Sequence, residues 1–570
     1  MKNFASLPFA VAPYAVALCG LTAAFAQPGA VSAIPHFEKR GSATQMVVDG
    51  RPFLMLGGEL TNSASSNLEY LAPYWPKLAA ANMNTILAAV SWELIEPEPG
   101  AFDFSLVDGM IRDARRHHLR LVLLWFGSWK NGVSTYVPLW VKRDSKRFPL
   151  FQAENGQSLA VLSVFHEVNW KADANAFAAL MRHIREVDGD AHTVLMMQVE
   201  NEVGCPGGTR DHLPAALAAF DAPVPRQLLD YMARNRDGLV PEFRKYWEAA
   251  GGKTTGTWAE VFGKEPMTNE IFMAWNYALY VDKVTKAGKA EYNIPMYINV
   301  DLGEAIGGYS SGGALPIVLN VWQQGAPSLD VIAPDIYLPN FADWCALYNR
   351  SGNPLWIPET RADAANAFYA IGKHAAMGIT PFGIERSADA STPYAKAYDV
   401  LAQAAPAILE AQAKGTIAAV MLNAATPAQS VKMGNYTLDF AMGRNRRPPA
   451  PTPAAGAATP GPGAGPAGAG ATPEAYALVI GTSPEDYIIL GNGVQVTFSA
   501  TTPSPSAAGI GILEEGVYVE GRWVPGRRLN GDDIMMNYDS TNHAVKNQSG
   551  QGFRLAGDGP RILHLKLYRF

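Results

Sequence analysis

The sequence predicts an α/β fold, a (β/α)8 TIM barrel followed by a C-terminal β-sandwich. Three observations lead there. From about Arg51 to Lys414 short apolar runs alternate with amphipathic stretches, the form that repeated βα units take in a sequence. No glycine-rich phosphate loop follows an early strand, since Gly57-Gly58-Glu59-Leu60 is not one, which weighs against the rival doubly wound open sheet. After Gly415 the pattern changes to short alternating strands and turns.

Taken in order, residues 1–26 read as an export signal: Lys2, an apolar stretch from Leu7 to Phe25, and the small-residue pattern Ala24-Phe25-Ala26 before Gln27. The rival, a membrane anchor, has to accommodate Pro8 and Pro13 in a run of barely spanning length. No later segment offers roughly 20 uninterrupted apolar residues, so the mature chain is expected without a membrane span, exported to a periplasm or outside the cell.

The barrel is assigned to 36–415. Its eight candidate strands are Phe53–Gly57, Thr85–Val90, Arg120–Phe126, Thr193–Val199, Pro295–Val300, Val331–Ile336, Leu355–Pro358 and Ile379–Ile384. Helical patterns lie between and after them at Leu106–His118, Ala174–Val187, Met273–Ala287 and Tyr394–Lys414, and the long insert between Gly204 and Pro266 fits an elaborated rim. The sandwich is assigned to 416–570, with strands at Tyr487–Leu490, Val494–Phe498, Val517–Val524 and Ile562–Phe570. Within it, 448–473 is almost entirely Pro, Ala, Gly and Thr and is expected to be a disordered loop or linker.

At 570 residues the chain exceeds what one core usually holds, in keeping with two domains. A 48 % hydrophobic and 17 % charged composition suits a globular enzyme, and a net charge of −6 gives no reason to expect nucleic acid as a partner. Once the signal takes Cys19, only Cys205 and Cys345 remain; a disulfide framework is excluded by count, while one bridge between them stays open. No His and Cys cluster has metal-ligand spacing, and no metal or cofactor is expected.

Carboxylates fall at or just beyond the predicted strand ends: Glu59, Glu93, Glu200, Glu202, Asp301, Asp335, Glu359 and Glu385. In a barrel these converge on one mouth, where active sites lie. The stretch QVENEVG, Gln198 to Gly204, sets two of them one residue apart behind an apolar run, and burying an ionised carboxylate is costly unless something compensates. Paired carboxyl groups suit glycoside hydrolysis, one as nucleophile and one as acid/base. Strand alternation does not choose between Glu200 and Glu202, because positions two apart face the same way.

Three stretches in order, PYWPKLAAANMNTILAAVSWELIEPEPG (Pro73 to Gly100) followed by AFDFS, then QVENEVG, then PLWIPET (Pro354 to Thr360), resemble β-galactosidases of glycoside hydrolase family 35, within the wider clan of barrel glycosidases. The resemblance spans most of residues 50 to 390. It implies that Glu202 is the acid/base and Glu359 the nucleophile, with Glu385 in reserve. It further implies that Asn201 bonds the sugar 2-hydroxyl, a turn cap being the alternative, and that Tyr337 orients the nucleophile, packing being the alternative. Trp125, Trp129 and Trp140 surround the third strand's end as stacking or core residues, and Asn131 in the same loop is a sugar-contact candidate.

Two departures stand out. The family pattern has a tyrosine after the second strand where this chain has Ala89, and an Ala-Glu pair after the third where it has Gly127-Ser128. Both missing side chains normally hold galactose, and Glu93 is the candidate to restore the lost contact. The expected function is an exported, retaining exo-β-galactosidase acting on oligosaccharides or plant polysaccharide fragments without a cofactor. The alternatives are a clan relative with another terminal sugar, or a sugar-binding barrel without turnover. Oligomeric state and the role of the β domain, including Tyr518 and Trp523, are left open.

Overall fold

The computed structural model describes residues 33–205, 210–264, 266–304, 308–443, 475–501, 505, 507–536, 551–555 and 558–570. The expected export signal at 1–26 and the Pro/Ala/Gly-rich stretch at 448–473 lie outside the described residues.

Eight strands, Met55–Glu59, Thr85–Ser91, Arg120–Phe126, Val194–Val199, Met296–Val300, Val331–Ile336, Ile357–Thr360 and Gly378–Pro381, close into a barrel. Every neighbouring pair in it is parallel. Parallel strands covered on both faces must be apolar on both, and these are. Leu87, Ala89, Val122, Leu124, Phe126, Tyr297 and Ala333 fill the lumen, whereas their neighbours Ile86, Ala88, Leu121, Leu123, Trp125 and Ile298 belong to the outer cluster under the helices. The lumen is thus a packed core, and only the residues at the strands' C-terminal ends are free to form a mouth.

The covering helices include Ser105–Arg116, Glu167–Asp188, Pro266–Glu291 and Pro393–Lys414. The last has clear end signals: Thr392 accepts a cap bond from the Ala395 N–H at 3.2 Å, Pro393 stands at the first turn, and Gly415 ends it at φ 69°. Four short helices, Pro214–Asp221, Arg226–Arg234, Pro241–Ala249 and Trp258–Phe262, make up the rim insert. Among the described residues no helix is long and apolar enough to cross a membrane.

Some boundaries differ from expectation for local reasons. Phe53 belongs to an N-terminal antiparallel sheet, His36–Arg40, Ala43–Val48 and Arg51–Phe53, which the sequence reading missed; its Met46 and Val48 pack against lumen residues such as Met55 and Tyr297. The first barrel strand therefore begins at Met55. The eighth stops at Pro381, because Gly383 turns left-handed at φ 66° and Ile384–Arg386 forms a 3-10 turn. Val517–Val524 is not one strand: Ala508–Val519 and Arg522–Arg528 form a hairpin around Glu520 and Gly521, both at positive φ.

The C-terminal part is a sandwich of a six-stranded and a five-stranded antiparallel sheet. Between them lies a second core containing Leu438, Phe440, Val496, Phe498, Ile489, Leu563 and Leu565. Leu478, Ile480, Leu490 and Ile562 instead join the barrel's outer core, so one sheet is sandwiched between the second core and the barrel. The two parts touch closely at Gly372 on the helix Ala364–His374, where an added Cβ would stand 2.7 Å from Ala419 Cβ. Cys205 and Cys345 are both buried, with no disulfide between them.

Candidate active site

The two carboxylates of QVENEVG part company after the strand ends at Val199. Glu200 and Glu202 both take left-handed backbone conformations, φ 65° and 47°, which non-glycine residues adopt rarely and at some cost. The alternation rule, which left them equivalent, stops applying where the strand stops. Glu200 lies fully buried behind the barrel wall, its Oε2 accepting the Trp129 N–H at 2.8 Å, beside Asp173. Burial first, and then the Asp173 charge, hold its carboxyl well above the usual range. Asp173 in turn accepts from Trp125 Nε1 at 2.9 Å and Ser128 Oγ at 2.5 Å.

Glu202 turns to the mouth. Asn131 Nδ2 donates to its Oε2, and the backbone of Glu202 is fixed from two sides. Its N–H donates to Asn299 Oδ1 at 2.9 Å, and its carbonyl accepts from the Gly132 N–H at 3.0 Å. Asn299 Nδ2 then donates to Asp335 Oδ2 at 2.7 Å, tying the fourth, fifth and sixth strand ends together.

Glu359 ends the seventh strand. Ile357, two residues earlier, packs in the outer cluster, so simple alternation would send Glu359 outward as well. An irregularity in pairing between Ile357 and Thr360 breaks that register, and Glu359 instead accepts a 2.6 Å bond on Oε1 from the Tyr337 hydroxyl. On the neighbouring strand Asp335 is its directly paired residue.

The electrostatics separate the acids. Burial, and next the Glu359 charge, push Glu202 up to about 8, with Lys130 pulling the other way. Burial and Glu359 also hold Glu59 and Asp335 well above the usual carboxylate range. Glu359 is raised by burial too, but Lys130 and the Tyr337 hydroxyl both favour its ionised form. Lys130, almost fully buried 5.4 Å from the Phe126 ring centroid, is the cation felt by all four. The arrangement can keep Glu359 charged while Glu202 holds a proton, the division of labour that acid-assisted displacement needs.

Asn201 is fully buried, and neither Oδ1 nor Nδ2 has a hydrogen-bond partner among the described residues. Tyr337 meets Glu359, the carboxylate it was expected to orient, whereas Asn131, a sugar-contact candidate, donates to Glu202. One expectation is corrected. Trp129 is no sugar platform: it is fully buried, edge-on to Tyr277 and Tyr280 with centroids 5.5 and 4.7 Å away. Trp125 and Trp140 take the core alternative, packing in or against the outer core. Glu93 is paired with Lys142 at 3.0 Å.

Glu385, the reserve nucleophile, has both oxygens engaged by Thr61, whose hydroxyl donates at 2.5 Å and N–H at 3.2 Å. Ser128 is buried against Asp173 and Tyr280, and Gly127 is required there: an added Cβ would lie 2.3 Å from Trp125 Nε1 and 2.8 Å from Glu200 Oε1. Lys130 and Asn299 were not foreseen. A lone lysine in SWKNG and an asparagine inside an apolar strand carry no signal until the barrel closes around them.

Residues 75–276 match the model of glycoside hydrolase family 42, described as beta-galactosidase, and residues 394–538 match a domain of unknown function, DUF5597. A beta-galactosidase of Xanthomonas manihotis is 28% identical over 211 residues, 34% of this chain and 30% of that relative. Among solved structures, the beta-galactosidase of the psychrophilic Marinomonas ef1 is similar with a TM-score of 0.42 at 14% identity, over 63% of this chain and 60% of that one. The beta-galactosidase of Bacillus circulans sp. alkalophilus gives 0.43 at 15%, over 63% and 57%. That of the Antarctic haloarchaeon Halorubrum lacusprofundi gives 0.43 at 15%, over 61% and 58%. The chain thus spans under a third of the curated relative and less than two thirds of these solved chains. The segment that matches the family 42 model includes QVENEVG.

Proposed function

We propose that the protein is a retaining β-glycosidase releasing terminal β-D-galactosyl residues from oligosaccharides or plant polysaccharide fragments. The observation that carries this reading is the pair at the mouth: Glu202 with its proton retained up to about pH 8, and Glu359 oriented by Tyr337 and favoured in its charged form by Lys130. Glu359 attacks the anomeric carbon while Glu202 gives its proton to the departing glycosidic oxygen. Glu202 then takes a proton from the water that cleaves the glycosyl-enzyme, so configuration is retained. Asn201, whose two amide atoms have no partner among the described residues, takes the 2-hydroxyl in this reading.

The galactose preference is drawn from the family 42 match and from the family 35-like motifs, both of which belong to β-galactosidases. Ala89 favours a second reading at the level of the sugar, since the tyrosine expected there is missing and Ser128 is turned away into the wall. Export through residues 1–26 belongs to the same reading and places the enzyme where such saccharides are met.

The test is initial rates on nitrophenyl β-galactoside, β-glucoside, β-mannoside, β-xyloside and α-arabinoside, with the first-formed anomer followed by NMR. Preference for the β-galactoside with β-galactose appearing first is expected. Another preferred sugar moves the substrate but keeps the mechanism; α-anomer first overturns retention; and no turnover by folded protein overturns the glycosidase reading.

A further inference from the structure

Glu200, two residues before the acid/base, takes no part in the chemistry above, yet it is a fully buried carboxyl in a left-handed turn. Such burial is costly unless something compensates. Its Oε2 accepts the Trp129 N–H at 2.8 Å, while Oε1 is buried with no hydrogen-bond partner among the described residues. Asp173, also fully buried, comes from the helix Glu167–Asp188. It accepts from Trp125 Nε1, the Ser128 N–H and the Ser128 hydroxyl, with the Tyr280 hydroxyl 3.5 Å away. A Cβ added to Gly127 would lie 2.8 Å from Asp173 Oδ1 and 2.8 Å from Glu200 Oε1, so these two oxygens converge on one point. The donors around Asp173 suit it as the charged member. Two buried carboxyl groups side by side ionise together only at a large penalty, and one proton between them removes it while giving Glu200 Oε1 its missing bond. Burial and the Asp173 charge act on the Glu200 carboxyl in the same sense.

The pair is tied to the acid/base through a ladder of contacts. Glu200 binds the Trp129 N–H, and the Asn201 N–H donates to the Trp129 carbonyl at 3.3 Å. The Gly132 N–H donates to the Glu202 carbonyl at 3.0 Å, and Asn131 donates to the Glu202 carboxyl. The turn at 200–202 and the loop after the third strand are thereby fastened to each other. Trp129 is anchored in turn, edge-on against Tyr277 and Tyr280. At the far end of the ladder Glu202 faces Glu359, Asp301, Asp335, Glu59 and Lys130, and its buried place among them keeps its carboxyl above the ordinary range.

Resting on the glycosidase reading, we propose that Glu200 and Asp173 share one proton, Glu200 donating to Asp173, and that this buried acid pair positions the acid/base Glu202 from behind the barrel wall. Glu200 is a positioning residue and touches no substrate.

Two amides test the pair and its role separately, in the full chain. Glu200→Gln keeps the length, accepts from Trp129 and donates to Asp173 as the protonated acid does. Glu200→Asn suits the left-handed backbone at φ 65° but is one methylene too short to reach both partners. The melting temperature of Glu200→Gln is first compared with wild type from pH 4.5 to 8. A carboxyl whose pKa is raised on folding gives up stability as pH rises above its ordinary 4.5, and an amide does not, so the difference should move in favour of Gln as pH rises. A difference that stays flat or moves against Gln overturns the shared proton. Rates on the phenyl and dinitrophenyl β-glycosides of the preferred sugar then test positioning. Glu200→Gln is expected to stay within about threefold of wild type in kcat/KM. Glu200→Asn, its folding checked by melting, should lose about tenfold or more on the phenyl glycoside and far less on the dinitrophenyl one, with the alkaline limb moved to lower pH as Glu202 escapes burial. Equal losses on both glycosides with the limb unmoved overturn the positioning role. A wild-type protein that cleaves neither glycoside overturns the glycosidase reading and the positioning role with it, while the melting comparison still decides the shared proton.

Discussion

Removing one oxygen, by Tyr337→Phe, should move the acidic limb of the pH–rate profile toward neutrality. The Tyr337 hydroxyl donates to Glu359 Oε1 at 2.6 Å, inside the short range of charge-assisted O–H···O bonds. Hydrogen bonds to charged groups contribute about 1.5–3 kcal/mol, and one pKa unit corresponds to about 1.4 kcal/mol, so losing this bond should raise the Glu359 pKa by about 1–2 units. The sign follows from the bond favouring the ionised form: without it, Glu359 stays protonated, and unable to attack, to a higher pH. The assay is kcat/KM on an aryl glycoside from pH 4 to 9, fitted to the pair's macroscopic constants. A purely packing role for Tyr337 predicts a uniform loss of rate with the limb unmoved, and that result would refute the assignment.

Other outcomes follow from the same geometry. The alkaline limb should report Glu202, with activity lost as pH rises through about 8; Glu202→Gln should abolish that limb. Because its folded pKa lies above the ordinary 4.5, Glu202's contribution to stability is greatest below that value and falls until about pH 8, which urea unfolding against pH measures. Glu202→Ala should cost about 10²–10⁴-fold on substrates with poor leaving groups and far less on dinitrophenyl glycosides. Glu359→Ala should lose nearly all turnover and recover part with azide, giving the inverted glycosyl azide, so swapped rescue profiles would reverse the two roles. Gly127→Ala forces a Cβ to within 2.3 Å of Trp125 Nε1 and should destabilise by about 1–3 kcal/mol, read as a lowered Tm.

What could be read from the sequence was what repeats. Eight apolar runs announced the barrel because parallel strands buried on both faces have to be apolar throughout, and Arg120–Phe126 and Val331–Ile336 were placed to the residue. The carboxylates were findable because strand ends are where a barrel puts its chemistry. What stayed hidden depends on departures from regular geometry. Glu359 reaches the mouth only through the break in pairing after Ile357, and Glu200 leaves it only because the chain turns left-handed beyond Val199. An indole beside a strand end is equally suited to stacking on sugar or to the outer core, which left both readings open for Trp125, Trp129 and Trp140 until the structure put them in or against that core. Lys130 and Asn299 act through neighbours far away in sequence, so nothing local marks them.

The central claim is that Glu359 forms the covalent bond to sugar. It is tested most directly by incubating the protein with the 2-deoxy-2-fluoro glycoside of its preferred sugar, then measuring the intact mass and mapping the labelled peptide. One fluorosugar added per chain, on the peptide carrying PLWIPET and at Glu359, is the expected result. A label on Glu385 or Glu202, or an active enzyme that never accumulates a labelled form, would contradict it.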